Sequence, residues 1–84
     1  MPEIARFFGI IIKMYFSSRE HNPPHFHVVY GEHTGLLDIN TLEMIEGDLT
    51  PRVLGLVREW AQMHQAELIQ IWNTQKIEKL PPLV

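Results

Sequence analysis

The chain has 84 residues, 45% of them hydrophobic, and it contains no cysteine. A chain of this length forms one domain with a thin core, and without cysteine it has neither disulfides nor thiolate zinc sites. The formal net charge is −3 and the seven Lys and Arg residues are dispersed, which argues against binding to duplex DNA but allows a local contact with RNA.

The predicted organisation is a single domain over residues 1–84, with a β-rich part at 1–48, a helical part at 50–77 and an extended tail at 78–84. Near the N-terminus, the apolar run FFGIII is preceded by Glu3 and followed by Lys13. Because this run is too short to cross a bilayer and no small-residue cleavage site follows it, we expect a cytoplasmic protein.

The first half of the chain shows the alternation typical of β-strands. Residues Arg6–Phe16 carry apolar side chains on both faces, so we predict one long strand that is central or covered by a partner, which favours a dimer or a heteromer. The prolines Pro23 and Pro24 lack an amide donor and should precede the next strand. Three further strands are predicted at His25–Tyr30, Gly35–Ile39 and Leu42–Glu46, with a turn over Gly31–Thr34.

The second half has the period of an amphipathic helix, which starts at the N-cap Thr50 with Pro51 at the first helical position. Its apolar stripe comprises Val53, Val57, Trp60, Ala61, His64, Leu68 and Ile71. The helix either runs unbroken to about Gln75 or bends near His64–Gln65, and the tail LPPLV should pack in extended form. We therefore predict a two-layer α+β fold, in which a three- or four-stranded antiparallel meander is followed by one long or two shorter C-terminal helices.

Four of the five histidines lie in the stretch HNPPHFHVVYGEH, from His21 to His33. Because side chains alternate along a strand, Phe26 should face the helices, while His25 and His27 project from the opposite side. Continuity of the apolar face predicts the register of the following hairpin. The predicted pairs are Phe26 with Ile39, Val28 with Leu37, His27 with Asp38, and His25 with Asn40.

A tight next turn would place Glu43 beside Asp38 and extend a polar row from His27. The sequence leaves three interpretations of this row open. In the first, His27 is a general acid/base, His25 is its partner or stabilises phosphate charge, and Asp38 is the orienting carboxylate. In the second, His25 and His27 bind a divalent metal such as zinc, together with His21 or Asp38. In the third, the row is a solvated face whose imidazoles hydrogen-bond turn amides or cap the Pro-Pro corner.

A second pair of polar residues, His64 and Glu67, has the i,i+3 spacing that allows direct contact on a helix. We expect a half-buried hydrogen-bonded pair at the margin between helix and sheet, although the two residues could instead complete the polar site. Trp60 and Trp72 are predicted to be core anchors rather than platforms for base stacking.

The stretches RFFGIII, HNPPHFHVVYGE, LLDI, EMIEG and EWAQMHQAEL together resemble the small bacterial family catalogued as domain of unknown function 4160. The resemblance covers nearly the whole chain, and HNPPHFHV is its most distinctive part. It implies a Gly where this chain has Leu42, so the turn after Asn40 is expected to differ here.

The same resemblance implies a two-gene module of the toxin–antitoxin type, with this chain on the toxin side and a small partner protein encoded by the neighbouring gene. It gives weight to His21, His25 and His27, which fall inside the distinctive string, but it fits a structural corner equally well. The leading hypothesis is a toxin-like protein that acts through its partner, with a His-centred activity on RNA. The alternative is a non-catalytic metal-binding or structural adaptor domain.

Overall fold

The alternating first half and the helical second half form two layers in the computed structural model, which describes residues 3–15 and 23–83. The elements are β1 (Glu3–Phe7), β2 (Ile10–Lys13), β3 (His25–Tyr30), β4 (His33–Asp38), β5 (Met44–Gly47), α1 (Pro51–Met63) and α2 (Gln65–Thr74). The strands form one antiparallel sheet in the order β1-β2-β3-β4-β5. The predicted α+β meander followed by C-terminal helices is therefore confirmed.

The sheet has five strands because the long strand predicted at Arg6–Phe16 is a hairpin. Its turn residues Phe8 and Gly9 have φ angles of 51° and 80°, the pair of positive values typical of a two-residue type I′ turn. Phe7 pairs with Ile10 across this turn, and both are buried. The prediction missed this turn because Phe8 is apolar and fits a strand pattern, although it is 58% exposed.

The later strands lie close to their predicted positions. β3 has the predicted bounds, whereas β4 begins and ends earlier than expected and β5 begins two residues later. The end of β4 is set by its last side chain, because the Asp38 carboxylate accepts the amides of Asn40 and Thr41 at 2.7 and 3.1 Å. Such a side-chain-to-backbone turn competes with continuation of the strand.

The core lies between the inward face of the sheet and the two helices. Every residue of the predicted apolar stripe is buried, so the phase of the helical pattern is confirmed. Trp60 is central: it is fully buried, and its ring centroid lies 5.6 Å from that of Phe7 and 6.4 Å from that of Phe26. Its indole Nε1 donates to the Pro81 carbonyl at 2.7 Å, so the one polar atom of this buried side chain has a hydrogen-bond partner.

The helical segment bends near His64–Gln65, which is one of the two alternatives predicted from the sequence. His64 has φ −126° and ψ 20°, outside helical values, and separates α1 from α2. Next to the break, the Gln65 side chain donates to the Ile39 and Asn40 carbonyls at 2.8 and 2.9 Å. These bonds tie the start of α2 to the end of the sheet that carries the first residue of β3.

The tail after α2 packs against the first strand. The amide of Leu80 donates to the Ile4 carbonyl of β1 at 3.0 Å, and the Leu80 and Leu83 side chains are buried. The tail therefore covers part of the β1 edge.

Candidate functional site

The register between β3 and β4 differs from the prediction by two residues. Tyr30 pairs with His33 across a two-residue turn, which places His25 opposite Asp38 and His27 opposite Leu36. The predicted register assumed a four-residue turn, and it is wrong because Gly31, with φ 61°, allows a tighter one. A shift of two residues preserves the face of every side chain, so His25 and His27 still share the outward side.

The outward face of the sheet carries a continuous row of neighbours from all five strands. In the order β1 to β5 these are Glu3, Lys13, His27, Leu36 and Glu46. Lys13, His27 and Leu36 are half-buried, and Glu46 is exposed. The helices pack on the other side of the sheet, so this row belongs to an open face.

Four aromatic rings meet at one end of this face and are called the imidazole cluster below: Tyr15, His25, His27 and Trp72. The centroids of the two imidazoles are 5.6 Å apart, the Tyr15 ring meets His27 edge-on at 4.6 Å, and Trp72 of α2 lies 4.9 Å from His25. Strand β3, the segment that directly follows β2 and the second helix thus build the cluster.

Within the cluster, His25 is held in place on two sides. Its Nδ1 donates to the Pro23 carbonyl at 2.9 Å, and Trp72 packs on its ring, so that only 7% of the residue is exposed. His25 therefore projects from the expected side of the strand but is not part of a free surface. The bond to Pro23 is the cap on the Pro-Pro corner that the structural interpretation expected.

His27 is the accessible imidazole of the two. Burial lowers its pKa below the ordinary value, and the nearby positive charges of His25 and Lys13 lower the pKa further. At neutral pH the ring is therefore uncharged and can accept a proton. An accepting imidazole directly opposite a Lys ammonium is a combination suited to proton transfer beside an anion.

Asp38 does not orient an imidazole. Its carboxylate closes the turn after β4, where it is bonded to two backbone amides. Glu43 reaches this region only through its backbone, since its carbonyl accepts the Asp38 amide at 3.0 Å. The expected row from His27 through Asp38 to Glu43 is not formed, because Leu36 occupies the position opposite His27.

The candidate metal ligands are placed as follows. His25 and His27 are neighbours, while His21 lies outside the described residues. Among residues 3–15 and 23–83, no group of three or more His, Cys, Asp or Glu side chains is arranged to hold a metal ion. The described part of the chain thus supplies a pair of imidazoles but no third ligand.

A shallow cavity of about 120 Å³ opens beside His27. It is lined by His27, Thr34, Gly35, Leu36, Glu46 and Gly47. The sequence analysis did not identify Lys13 or Glu46 as site residues. Lys13 was missed because the first hairpin was not predicted, so the pairing of β2 with β3 was not assigned. Glu46 was missed because the register between β4 and β5 was not known.

The predicted pair of His64 and Glu67 is confirmed. His64 Nδ1 donates to the Glu67 carboxylate at 2.7 Å, and the imidazole packs on Trp60 with centroids 5.2 Å apart. His64 is buried. The hydrogen bond thus provides a partner for the buried His64 imidazole at the margin of the core, between α1 and α2.

These features define a small α+β domain with helices on one face of a five-stranded meander and an imidazole-bearing open face on the other. Residues 9–73 match the family described as a domain of unknown function (DUF4160), and the chain belongs to that family. The expectation from the HNPPHFHV string is confirmed. No curated protein and no solved structure matches the chain.

In the part of the chain that the structure describes, neither α1 nor α2 has the length and apolar character needed to cross a membrane.

Proposed function

We propose that this domain is the toxin-like component of a two-gene toxin–antitoxin-type module, and that it acts through a small partner protein and by a His27-centred cleavage of RNA. The family resemblance supports the two-gene arrangement and the partner. The observation that carries the chemistry is the opposition of Lys13 and a neutral His27 on the open face of the sheet.

The reaction that suits this pair is transfer of the phosphodiester to the neighbouring ribose hydroxyl. His27 takes the proton from the 2′-hydroxyl, and the oxygen attacks phosphorus to form a cyclic phosphate. The P–O bond to the 5′ oxygen breaks, and that oxygen leaves with a proton from solvent. Lys13 stabilises the negative charge that develops on the phosphate oxygens.

His25 acts in this scheme as a positioning residue. Its ring is fixed by Pro23 and Trp72, and it limits the orientations open to His27 at a centroid distance of 5.6 Å. Asp38 contributes by closing the turn after β4 rather than by contact with substrate. His25 and Asp38 therefore hold the site in place in this proposal and do not take part in the reaction.

The test is growth arrest on induction of the chain without its partner, followed by RNA cleavage assayed with purified protein. We expect His27→Gln to abolish both, and Lys13→Met to lower the cleavage rate by about 10²-fold or more. His33→Gln is the matched control, because His33 contacts Asp48 at the far end of β4 and should leave both readouts unchanged. Equal arrest and cleavage by the wild type and His27→Gln would remove the catalytic proposal.

A structural adaptor is the second candidate, favoured by the contacts of His25. Its bond to Pro23 and its packing under Trp72 account for that residue without any chemistry. In that case His27→Gln should bind the partner protein with wild-type affinity and arrest growth normally, whereas a core change such as Trp60→Ala should abolish binding.

A further inference from the structure

The cavity beside His27 lies on one side of that residue, and Lys13 lies on the other. Lys13 of β2 is the neighbour of His27 towards β1. Leu36 and Glu46 follow His27 towards β5, and both line the cavity. A substrate whose reacting group is at His27 therefore extends in two directions, past Lys13 on one side and into the cavity on the other.

The two sides of His27 differ in charge. Glu3, which lies next to Lys13, is bound to Arg6 at 2.7 Å. In the part of the chain that the structure describes, neither Lys13 nor Glu46 forms an ion pair, and the sequence has no Lys or Arg between residues 20 and 51. The free Lys13 ammonium therefore attracts a phosphate, whereas the free Glu46 carboxylate repels a phosphate from the cavity.

A ribonucleotide has its groups in the same order. The carbon that carries the 2′-hydroxyl lies between the carbon that carries the 3′-phosphate and the carbon that carries the base. With the hydroxyl at His27 and the phosphate at Lys13, the base of the same nucleotide is directed to the cavity. We infer that the cavity binds this base and that Glu46 selects cytosine. The inference rests on the proposed function and names the nucleotide on which the domain acts.

The dimensions of the cavity suit a single ring. Neighbouring strands are about 4.8 Å apart, so β3 and β5 are separated by roughly 10 Å. The cavity volume of about 120 Å³ corresponds to roughly four water molecules at about 30 Å³ each. This space admits the one ring of a pyrimidine and is too small for the two rings of a purine. Between His27 and Glu46, the half-buried Leu36 side chain offers an apolar contact to the face of the ring.

The Glu46 carboxylate distinguishes between the two pyrimidines, because an ionised carboxylate only accepts hydrogen bonds. Cytosine has an amino group at the position where uracil has a carbonyl oxygen. Cytosine therefore donates to Glu46, whereas uracil brings a second acceptor against it and leaves both oxygens without a partner. A glutamine at this position would have both a donor and an acceptor and would serve either base.

The first test is binding of cytidine 3′-monophosphate and uridine 3′-monophosphate to the full chain, measured by NMR of the backbone amides. We expect the wild type to bind the cytidine nucleotide at least about tenfold more tightly, with the largest shifts in residues 34–36 and 46–47. Glu46→Gln should remove this preference. Glu59→Gln is the matched control, because it makes the same charge change at an exposed residue of α1, in the helix layer, and should keep the preference.

Cleavage of the dinucleotides cytidylyl-adenosine and uridylyl-adenosine separates this inference from the proposed function. The wild type should cleave the cytidylyl compound faster, and Glu46→Gln should cleave both at similar rates. A binding preference that depends on Glu46, without cleavage of either compound, would support the base site and contradict the proposed reaction.

The opposite outcome would overturn the inference and leave the proposed reaction in place: cleavage of both dinucleotides at equal rates by the wild type, abolished by His27→Gln. Equal binding of the two nucleotides, binding of neither, or an unchanged preference in Glu46→Gln would also overturn it. Unchanged amide shifts outside the cavity in free Glu46→Gln show that this variant is folded.

Discussion

At the scale of single residues, the protonation of His27 is set by where its ring lies. Burial and the charges of His25 and Lys13 make the protonated form unfavourable in the folded protein, so the pKa lies below the ordinary value of 6.5. In the unfolded chain the ring is solvated and regains that ordinary value. Between the two pKa values the unfolded state binds more protons than the native state.

This difference predicts how stability depends on pH. The free energy of unfolding receives the full contribution of neutral His27 above about pH 6.5, and loses it as the pH falls from 6.5 towards the lower native pKa. His27→Gln should remove that part of the dependence. Urea denaturation of both proteins between about pH 7.5 and 4.5 checks it: a difference between them that stays constant across this range would contradict the lowered pKa.

At the scale of elements, two connections contain a residue other than Gly in the left-handed backbone conformation. Leu42, in the connection between β4 and β5, has φ 61°, and Gln75, which ends α2, has φ 58°. The two differ in burial, since Leu42 is 6% exposed whereas Gln75 is an exposed surface residue. Arg58 of α1 also donates to the Leu42 carbonyl at 2.8 Å, which ties this turn to the helix layer.

Glycine at these two positions should therefore have opposite effects. Gln75→Gly relieves the left-handed strain and loses no buried surface, so we expect a gain of about 0.5–1 kcal/mol in the free energy of unfolding. Leu42→Gly relieves similar strain but removes a buried side chain that contributes about 2–5 kcal/mol, so a net loss is expected. Chemical denaturation checks both signs, and a stabilised Leu42→Gly would show that the strain outweighs the packing.

At the scale of the whole molecule, the tail joins the helices to the first strand. Trp60 holds it through the Pro81 carbonyl, and Leu80 holds it through the Ile4 carbonyl. Residues 9–73 match the family, so both β1 and the tail lie outside the matched region although they contact each other. The tail thus completes the layer around Trp60.

Trp60→Phe tests this connection, because it keeps an aromatic ring in the core and removes the indole donor. We expect a loss of about 1–3 kcal/mol in the free energy of unfolding and faster hydrogen exchange at the Leu80 amide. The control is Trp72→Phe, which makes the same substitution at the half-buried Trp that packs on His25. If Leu80 exchanges equally fast in both variants, the Trp60–Pro81 bond does not hold the tail.

The local sequence pattern was sufficient for every feature that depends on the period of a helix or a strand. The stripe from Val53 to Ile71, the cap at Thr50, the bounds of β3 and the shared side of His25 and His27 all follow from periods of 3.6 or 2 and from capping chemistry. The i,i+3 contact of His64 with Glu67 follows for the same reason. These features need only residues that are close together in the chain.

Tertiary structure decided whatever depends on turns and on distant segments. A positive φ at Phe8 has no local sequence signal, yet it makes a hairpin of the first apolar run. A turn shorter by two residues moved Asp38 from His27 to His25, and Trp72 of α2 buried an imidazole that alternation alone places at the surface. The period of a strand determines which face a side chain occupies, but only the packed chain determines what lies opposite it.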